Sequence, residues 1–257
     1  MSEPVHVLWT GGWDSTFRVA DLVLTHGVTV QPHYGRGTRI STRDELAAMD
    51  RIRDLIADID GAAAARLLPS ELHEVGTNSD HPDLEEHRRH LMERRFLGSQ
   101  YVPLAALAAR IDRPLELCIH RDDRAAAVVG DEIIHDAQAR PSGTWRLSLD
   151  VDDQAVSALF SGFEFPLYDK TKLGMLREAE QRGFAGVLEA TWFCHEPTSP
   201  GRPCGVCAPC QYTRDEGLAH RVPGPLHPAV VRRRARVLGG RAKRLAYRTM
   251  KRISIVR

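Results

Sequence analysis

A chain of 257 residues with 42% hydrophobic and 27% charged side chains has the composition of a soluble globule, long enough for one large domain or a domain with appendages. No apolar run approaches the roughly 20 residues that span a bilayer, and Met1-Ser2-Glu3-Pro4 has neither the basic nor the apolar region of a signal peptide, so the expected location is the cytoplasm. The formal charge of +1 is unevenly spread: twelve Lys and Arg lie from Arg221 to Arg257 with no Asp or Glu after Glu216, leaving 23 basic against 34 acidic side chains in residues 1–216.

Val5 to Trp9 is an apolar run that reads as a first strand. Thr10-Gly11-Gly12-Trp13-Asp14-Ser15-Thr16 follows, and a helical pattern continues from Phe17 to His26. Gly11 and Gly12 can take φ > 0 and leave no Cβ in the way of a ligand. Asp14, Ser15 and Thr16 suit a helix N-terminus, where side-chain oxygens cap free amides. Those amides and the positive end of the helix dipole make a seat for phosphate. The loop is neither a Walker A, lacking Gly-Lys-Ser/Thr, nor the Gly-x-Gly-x-x-Gly dinucleotide turn.

Val28 to Tyr34 alternates as a second strand, and Gly35 to Thr38 reads as a loop. Ser41 to Glu45 opens a helix with Leu46, Met49, Ile52, Ile56 and Ile59 at helical spacing. Leu72 to Val75 is a short third strand, Leu84 to Phe96 a polar surface helix, and Tyr101 to Ile111 a buried Ala/Leu helix. Leu115 to His120 reads as a fourth strand and Ala125 to Ala139 as a helix. Beyond this, Trp145 to Val151 suggests an edge strand and Phe163 to Tyr168 a turn with a short extended piece. Lys170 to Gly183 reads as a helix with Leu173, Leu176 and Ala179 inward, and Val187 to Phe193 as a last strand. Alternation of strands and helices predicts a doubly wound α/β fold with a mainly parallel, five-stranded sheet, whose ligand lies beyond the strands' carboxyl ends.

Four of the five cysteines, Cys194, Cys204, Cys207 and Cys210, lie in one segment, followed by a helix starting near Pro209. In a reducing compartment such clustering points to metal before disulfide. Pairs at two-residue spacing turn around one ion, and four sulfurs suit a closed structural Zn²⁺ site; an iron–sulfur cluster is the alternative. Cys118 reads as a small buried apolar residue. These features divide the chain into an α/β domain at 1–190 that carries the phosphate-seating turn, a cysteine segment at 191–220 and a basic helical tail at 221–257.

Thr-Gly-Gly-x-Asp-Ser at the first strand resembles the pyrophosphate loop, Ser-Gly-Gly-x-Asp-Ser, of the N-type ATP pyrophosphatases. Thr191-Trp192-Phe193-Cys194, then Cys204-Gly205-Val206-Cys207-Ala208-Pro209-Cys210 and Arg214, resemble the zinc motif of the 7-cyano-7-deazaguanine synthase family of queuosine biosynthesis. Phe165-Pro166-Leu167-Tyr168-Asp169-Lys170-Thr171-Lys172 resembles its Pro-Leu-x-x-x-Thr-Lys segment, and His33-Tyr34-Gly35-Arg36 its Asp-Tyr-Gly-Gln. The resemblance runs in order from about Val5 to about Leu218. It departs at Leu104-Ala105, where the family has Arg-Asn, and at His120-Arg121-Asp122-Asp123-Arg124, where the family holds its deazaguanine. ATP use is thus expected to be kept, with a different acceptor pocket.

The resemblance implies a ligase that adenylates a small-molecule carboxylate with release of pyrophosphate and takes ammonia to form an amide or nitrile. It implies ATP and Mg²⁺, held by Trp9, Thr10, Gly11, Gly12, Trp13, Asp14, Ser15, Thr16, Phe17, Tyr34, Thr171 and Lys172, with Asp14, Ser15 and Lys172 nearest the chemistry, and Zn²⁺ on the four cysteines. Asp14 suits Mg²⁺, which prefers oxygen. Lys172 reads either as a phosphate cation or as an exposed lysine of a first helical turn. Arg121 and Arg124 read as anion ligands or solvated charges, and His33 and His120 as cleft-lining or ordinary hydrogen-bonded histidines. A homodimer is a further expectation. The tail from Val230 to Arg257 reads first as a helix docked on the acidic body, then as a contact to nucleic acid or an anionic membrane surface. A tRNA-modifying or RNA-binding protein of the same superfamily, a related adenylating enzyme with another acceptor, and a nucleotide-binding module without chemistry are the rival readings.

Overall fold

The computed structural model describes residues 3–224, except Thr38, Asp131 and Arg140, together with Pro228, Val230, Val231 and Ala235. The chain forms two compact units, Met1–Trp192 and Phe193–Arg257. The basic tail expected beyond Val230 lies, but for Val230, Val231 and Ala235, outside the described residues. No helix among the described residues is long and apolar enough to cross a membrane.

The first unit is a layered α/β structure around a sheet of seven strands, not five, in the order β3-β2-β1-β4-β7-β6-β5. β1 (Val5–Leu8), β2 (Val30–Arg36), β3 (Glu71–Glu74), β4 (Leu115–Glu116) and β7 (Phe163–Glu164) pair in parallel. β5 (Ile133–Asp136) and β6 (Thr144–Leu147) add an antiparallel hairpin at one edge. Ile133 and Ile134 are β-branched and pair with Leu147 and Arg146. The expected helix over Ala125–Ala139 is therefore only α6 (Arg124–Val129), ended by Gly130 at φ 61°. Trp145 lies in an inner strand of the sheet rather than at its edge. The fourth strand is two residues long, so Leu117 to His120 continues as a loop.

Helices cover both faces, as a parallel sheet requires. α1 (Trp13–Ala20) runs on into a single π turn, Asp21–Thr25. α2 (Thr42–Ile59) buries Met49, Ile52 and Ile56, while Ile59 at its end is exposed. α3 (Gly61–Arg66) follows, capped by the Asp60 side chain. α4 (Pro82–Met92) is polar outside and buries Leu91; α5 (Tyr101–Ile111) matches its Ala/Leu pattern. α7 (Gln154–Phe160), capped by Asp153, packs Leu159 and Phe160 into the apolar cluster with Tyr101, Leu107, Leu115 and Phe163. α8 (Lys172–Gln181) turns Met175 and Ala179 inward and leaves Leu173 exposed, against expectation. Val187 and Leu188 belong to a short helix, α9 (Ala185–Glu189), not a strand. α10 (Ala208–Thr213) opens with Pro209 in its first turn, in the second unit.

Candidate functional site

The loops after β1, β4 and β7 leave the carboxyl ends of three adjacent parallel strands. β1 is flanked by β2 and β4, the place where the order of the strands reverses and ligands of such sheets collect. Trp9-Thr10-Gly11-Gly12 turns directly from β1 into α1. Gly11 has φ 67°, and a Cβ there would stand 2.9 Å from the Glu45 carbonyl oxygen. Its own carbonyl accepts from the Trp192 amide at 2.8 Å. Gly12 is extended at φ −79° and is the N-cap of α1 without a side-chain cap, so only one of the two glycines uses the left-handed region. The first helical bond runs from the Thr16 amide to the Gly12 carbonyl at 3.0 Å. The amides before it have no intrahelical acceptor, and with the dipole they favour an anion.

The side chains of this stretch divide. Trp9, Thr16 and Phe17 are buried, and the Trp9 indole donates to the Thr16 hydroxyl at 3.0 Å. They form the floor of the turn rather than its lining. Tyr34 is buried too, donating to Glu45 at 2.8 Å, while Ser41 donates to the other oxygen of Glu45 at 2.6 Å. Tyr34 thus braces α2 behind Gly11. Trp13 and Ser15 are largely buried, and Thr10 is exposed.

Asp14 stands at the head of α1. Its Oδ2 is 3.9 Å from Lys172 Nζ, and its Oδ1 is 4.0 Å from His120 Nε2. That Oδ1 is buried and accepts no hydrogen bond among the described residues. Lys172 is the first residue of α8, whose N-cap Thr171 accepts from the Gly174 amide at 3.1 Å. The Thr171 hydroxyl is therefore engaged by its own helix. The β4 loop is tied to the β7 loop: the Arg121 amide and guanidinium donate to the carbonyls of Lys170 and Asp169 at 2.9 and 2.5 Å. Arg124 lies over the Phe96 ring at 5.0 Å. Asp123 caps α6 through the Ala125 amide at 2.8 Å. Burial pushes its carboxyl above the ordinary range against the pull of the Ala125 amide, His120 and Lys172. Tyr101, beside Asp123, has its phenol raised by burial as well. Asp123 and Tyr101 are site residues that sequence reasoning passed over, since a capping Asp and an apolar-helix Tyr carry no mark of their neighbours. His120 does line this cluster. His33 does not: it is buried in mid-strand between His6 and His73.

Beneath the turn, Arg18 of α1 is buried and grips Glu116 of β4 through both carboxylate oxygens, at 2.8 and 2.6 Å. Its third nitrogen donates to Ser142 at 2.8 Å. The ion pair fixes α1 to the sheet in one orientation.

In the second unit the four cysteines close on one another. Cys194–Cys207, Cys204–Cys210 and Cys207–Cys210 have Sγ separations of 3.8, 3.9 and 3.4 Å. A disulfide needs about 2.05 Å. Four thiolates on one tetrahedral ion at about 2.3 Å stand about 3.8 Å apart, so the set could hold a single metal ion such as zinc. Amides point at the sulfurs: Cys204 to Cys194 at 3.1 Å, and Cys207 and Val206 to Cys204 at 3.3 and 3.5 Å. Gly205 lets this knuckle turn, at φ 73° with no room for a Cβ beside Val230, Arg214 and Pro223. The Cys207 thiol is held below its ordinary value by its contacts with the Cys194 and Cys210 sulfurs. Cys118 stands apart in the first unit, and desolvation pushes its thiol well up.

No protein-family model matches the chain, and no curated protein does.

Proposed function

We propose that the first unit binds ATP at the turn between β1 and α1 and adenylates a small-molecule carboxylate, in the manner of the 7-cyano-7-deazaguanine synthase family. The observation that carries this reading is Asp14: a buried carboxylate oxygen without a hydrogen-bond partner among the described residues, at an amide-bearing helix head, with Lys172 Nζ 3.9 Å from the other oxygen. An orphaned carboxylate oxygen of this kind fits Mg²⁺, which takes oxygen ligands. Mg²⁺ would be held by Asp14 and supply charge neutralisation for the phosphates. Lys172 and the amides of the turn bind the pyrophosphate portion and take the charge that grows on it as it leaves. The carboxylate oxygen attacks the α-phosphorus, the bond to the bridging oxygen breaks, and pyrophosphate departs. Ammonia then displaces AMP from the acyl-adenylate to give an amide. His120 and Asp123 stand beside Asp14 on the acceptor side of this scheme. Arg121 is occupied by carbonyls and is better suited to fixing the loop than to binding substrate.

The four cysteines are proposed to hold Zn²⁺ in a structural role, since a complete thiolate set leaves no open position. The whole is read as a cytoplasmic enzyme.

Asp14→Ala is expected to abolish ATP-dependent pyrophosphate release, measured with ammonium and 7-carboxy-7-deazaguanine or other candidate carboxylates, while circular dichroism stays unchanged. Undiminished release would remove the turn from the mechanism. The mass of the product names the acceptor.

A further inference from the structure

Three strands at one edge of the sheet bring together a cluster that the ATP reading does not use. His33 of β2 and Glu71 of β3 are register partners, so their side chains leave the sheet on the same face. His73 stands two residues after Glu71 and shares that face. Its register partner is Gly35, which carries no side chain to compete for the space.

The facing atoms are close. His33 Nδ1 is 2.9 Å from His73 Nε2 and 3.5 Å from Glu71 Oε2, and His73 Nε2 is 3.7 Å from the same oxygen. Nitrogen and oxygen ligands at about 2.0–2.1 Å from one tetrahedral ion stand about 3.3–3.4 Å apart, the middle of this range. A salt bridge alone does not require both imidazoles to turn a nitrogen toward one oxygen. The far side of His33 is also arranged: its Nε2 lies 2.8 Å from His6 Nδ1. With the single proton of neutral His33 on Nε2 and donated to His6, Nδ1 keeps its lone pair for an ion. This is the outer hydrogen bond that orients a metal-binding imidazole. His73 offers Nε2 once its proton sits on Nδ1. His33 is 2% exposed, His73 22% and Glu71 54% in their side chains, so the cluster is walled on one side and open on the other.

We propose that His33, Glu71 and His73 form a second metal site, for a divalent transition ion of the Zn²⁺ class, with a fourth position open. Two imidazoles and one carboxylate favour Zn²⁺ and its neighbours over Mg²⁺ or Ca²⁺, which prefer oxygen alone. His6 is the positioning residue behind it. Three ligands with an open position are what a reactive zinc site offers, in contrast to the closed thiolate set of the second unit.

The test counts ions on the full chain. Chelator-treated protein is loaded with Zn²⁺, gel-filtered and assayed for metal; a parallel titration with Co²⁺ separates thiolate ligation, with its strong near-ultraviolet charge-transfer bands, from nitrogen and oxygen ligation without them. Wild type is expected to hold two ions. His73→Ala is expected to hold one, with the charge-transfer bands unchanged. Cys207→Ser should weaken those bands and leave the ion at the histidines in place. Should His73→Ala fail to fold by circular dichroism, Glu71→Gln at the half-exposed ligand carries the same expectation, at least about a tenfold weaker second ion. A single ion in wild type that carries the charge-transfer bands would overturn the proposal and leave a row of hydrogen-bonded histidines. So would two tightly bound ions in a folded His73→Ala or in Glu71→Gln.

Discussion

The cysteine set and the cluster around Asp14 reach their geometry by different routes. All four thiols come from the stretch 194–210, and the knuckle between Cys204 and Cys207 needs only one glycine and a few amides. Asp14, His120 and Lys172 come from the ends of three strands and meet only because β1, β4 and β7 are neighbours in the sheet. The first is a local structure that an ion can hold by itself. The second is a property of the sheet, and its precision is that of the helix–sheet packing beneath it. Damage at one should therefore spread differently from damage at the other.

The largest effect is expected at the cysteines. Cys207→Ser should weaken thiolate-bound metal strongly and loosen the segment, because metal binding and folding of such a segment are one event. Limited proteolysis should then cut within residues 193–224 and spare the 1–192 unit. Loss of both units together would erase the contrast. Next comes the anchor of α1. Arg18→Met leaves Glu116 as an unpaired buried charge and should cost about 3–5 kcal/mol in urea unfolding. The double change Arg18→Met with Glu116→Leu should recover most of that stability yet not the pyrophosphate release of the proposed reaction, since the loss would be of orientation. Full recovery of both would show that α1 needs no ion pair to aim it. The smallest effect is expected at Glu164, the register partner of Glu116. Burial raises its carboxyl pKa, with Glu116 adding to the rise. The folded protein holds that proton at pH values where the unfolded chain has lost it, so this group's contribution falls as pH rises through the folded value. Glu164→Gln should raise the thermal midpoint slightly at pH 8, and the gain should vanish towards pH 4. An equal gain at both values would contradict the account.

What could be read in the sequence follows the same division. The Gly-Gly turn and the cysteines stand in short strings that can be read from spacing alone. The five parallel strands were foreshadowed in part by apolar alternation. The β5–β6 hairpin was not: Ala125 to Ala139 is Ala-rich at its start, and only Gly130 and the Ile133–Ile134 pair mark the change. Val187 and Leu188 sit in an apolar run too short for periodicity to tell strand from helix. Thr16 and Tyr34 look like ligand-binding residues by motif, yet their hydroxyls serve Trp9 and Glu45. Asp123 gathers beside His120 through long-range packing, and His33, Glu71 and His73 meet through strand register. Neither is written in local sequence.

The Trp192 amide closes on the Gly11 carbonyl, joining the first turn of the chain to the last residue of its unit. On a ribosome this has a temporal meaning. β1, β2 and β3 can pair once residue 74 has emerged, but the bend after β1 lacks its final hydrogen bond until about 120 further residues have been made. A nascent or prematurely ended chain would carry the motif without the finished seat. The turn would then take its finished shape only when synthesis of the unit is complete.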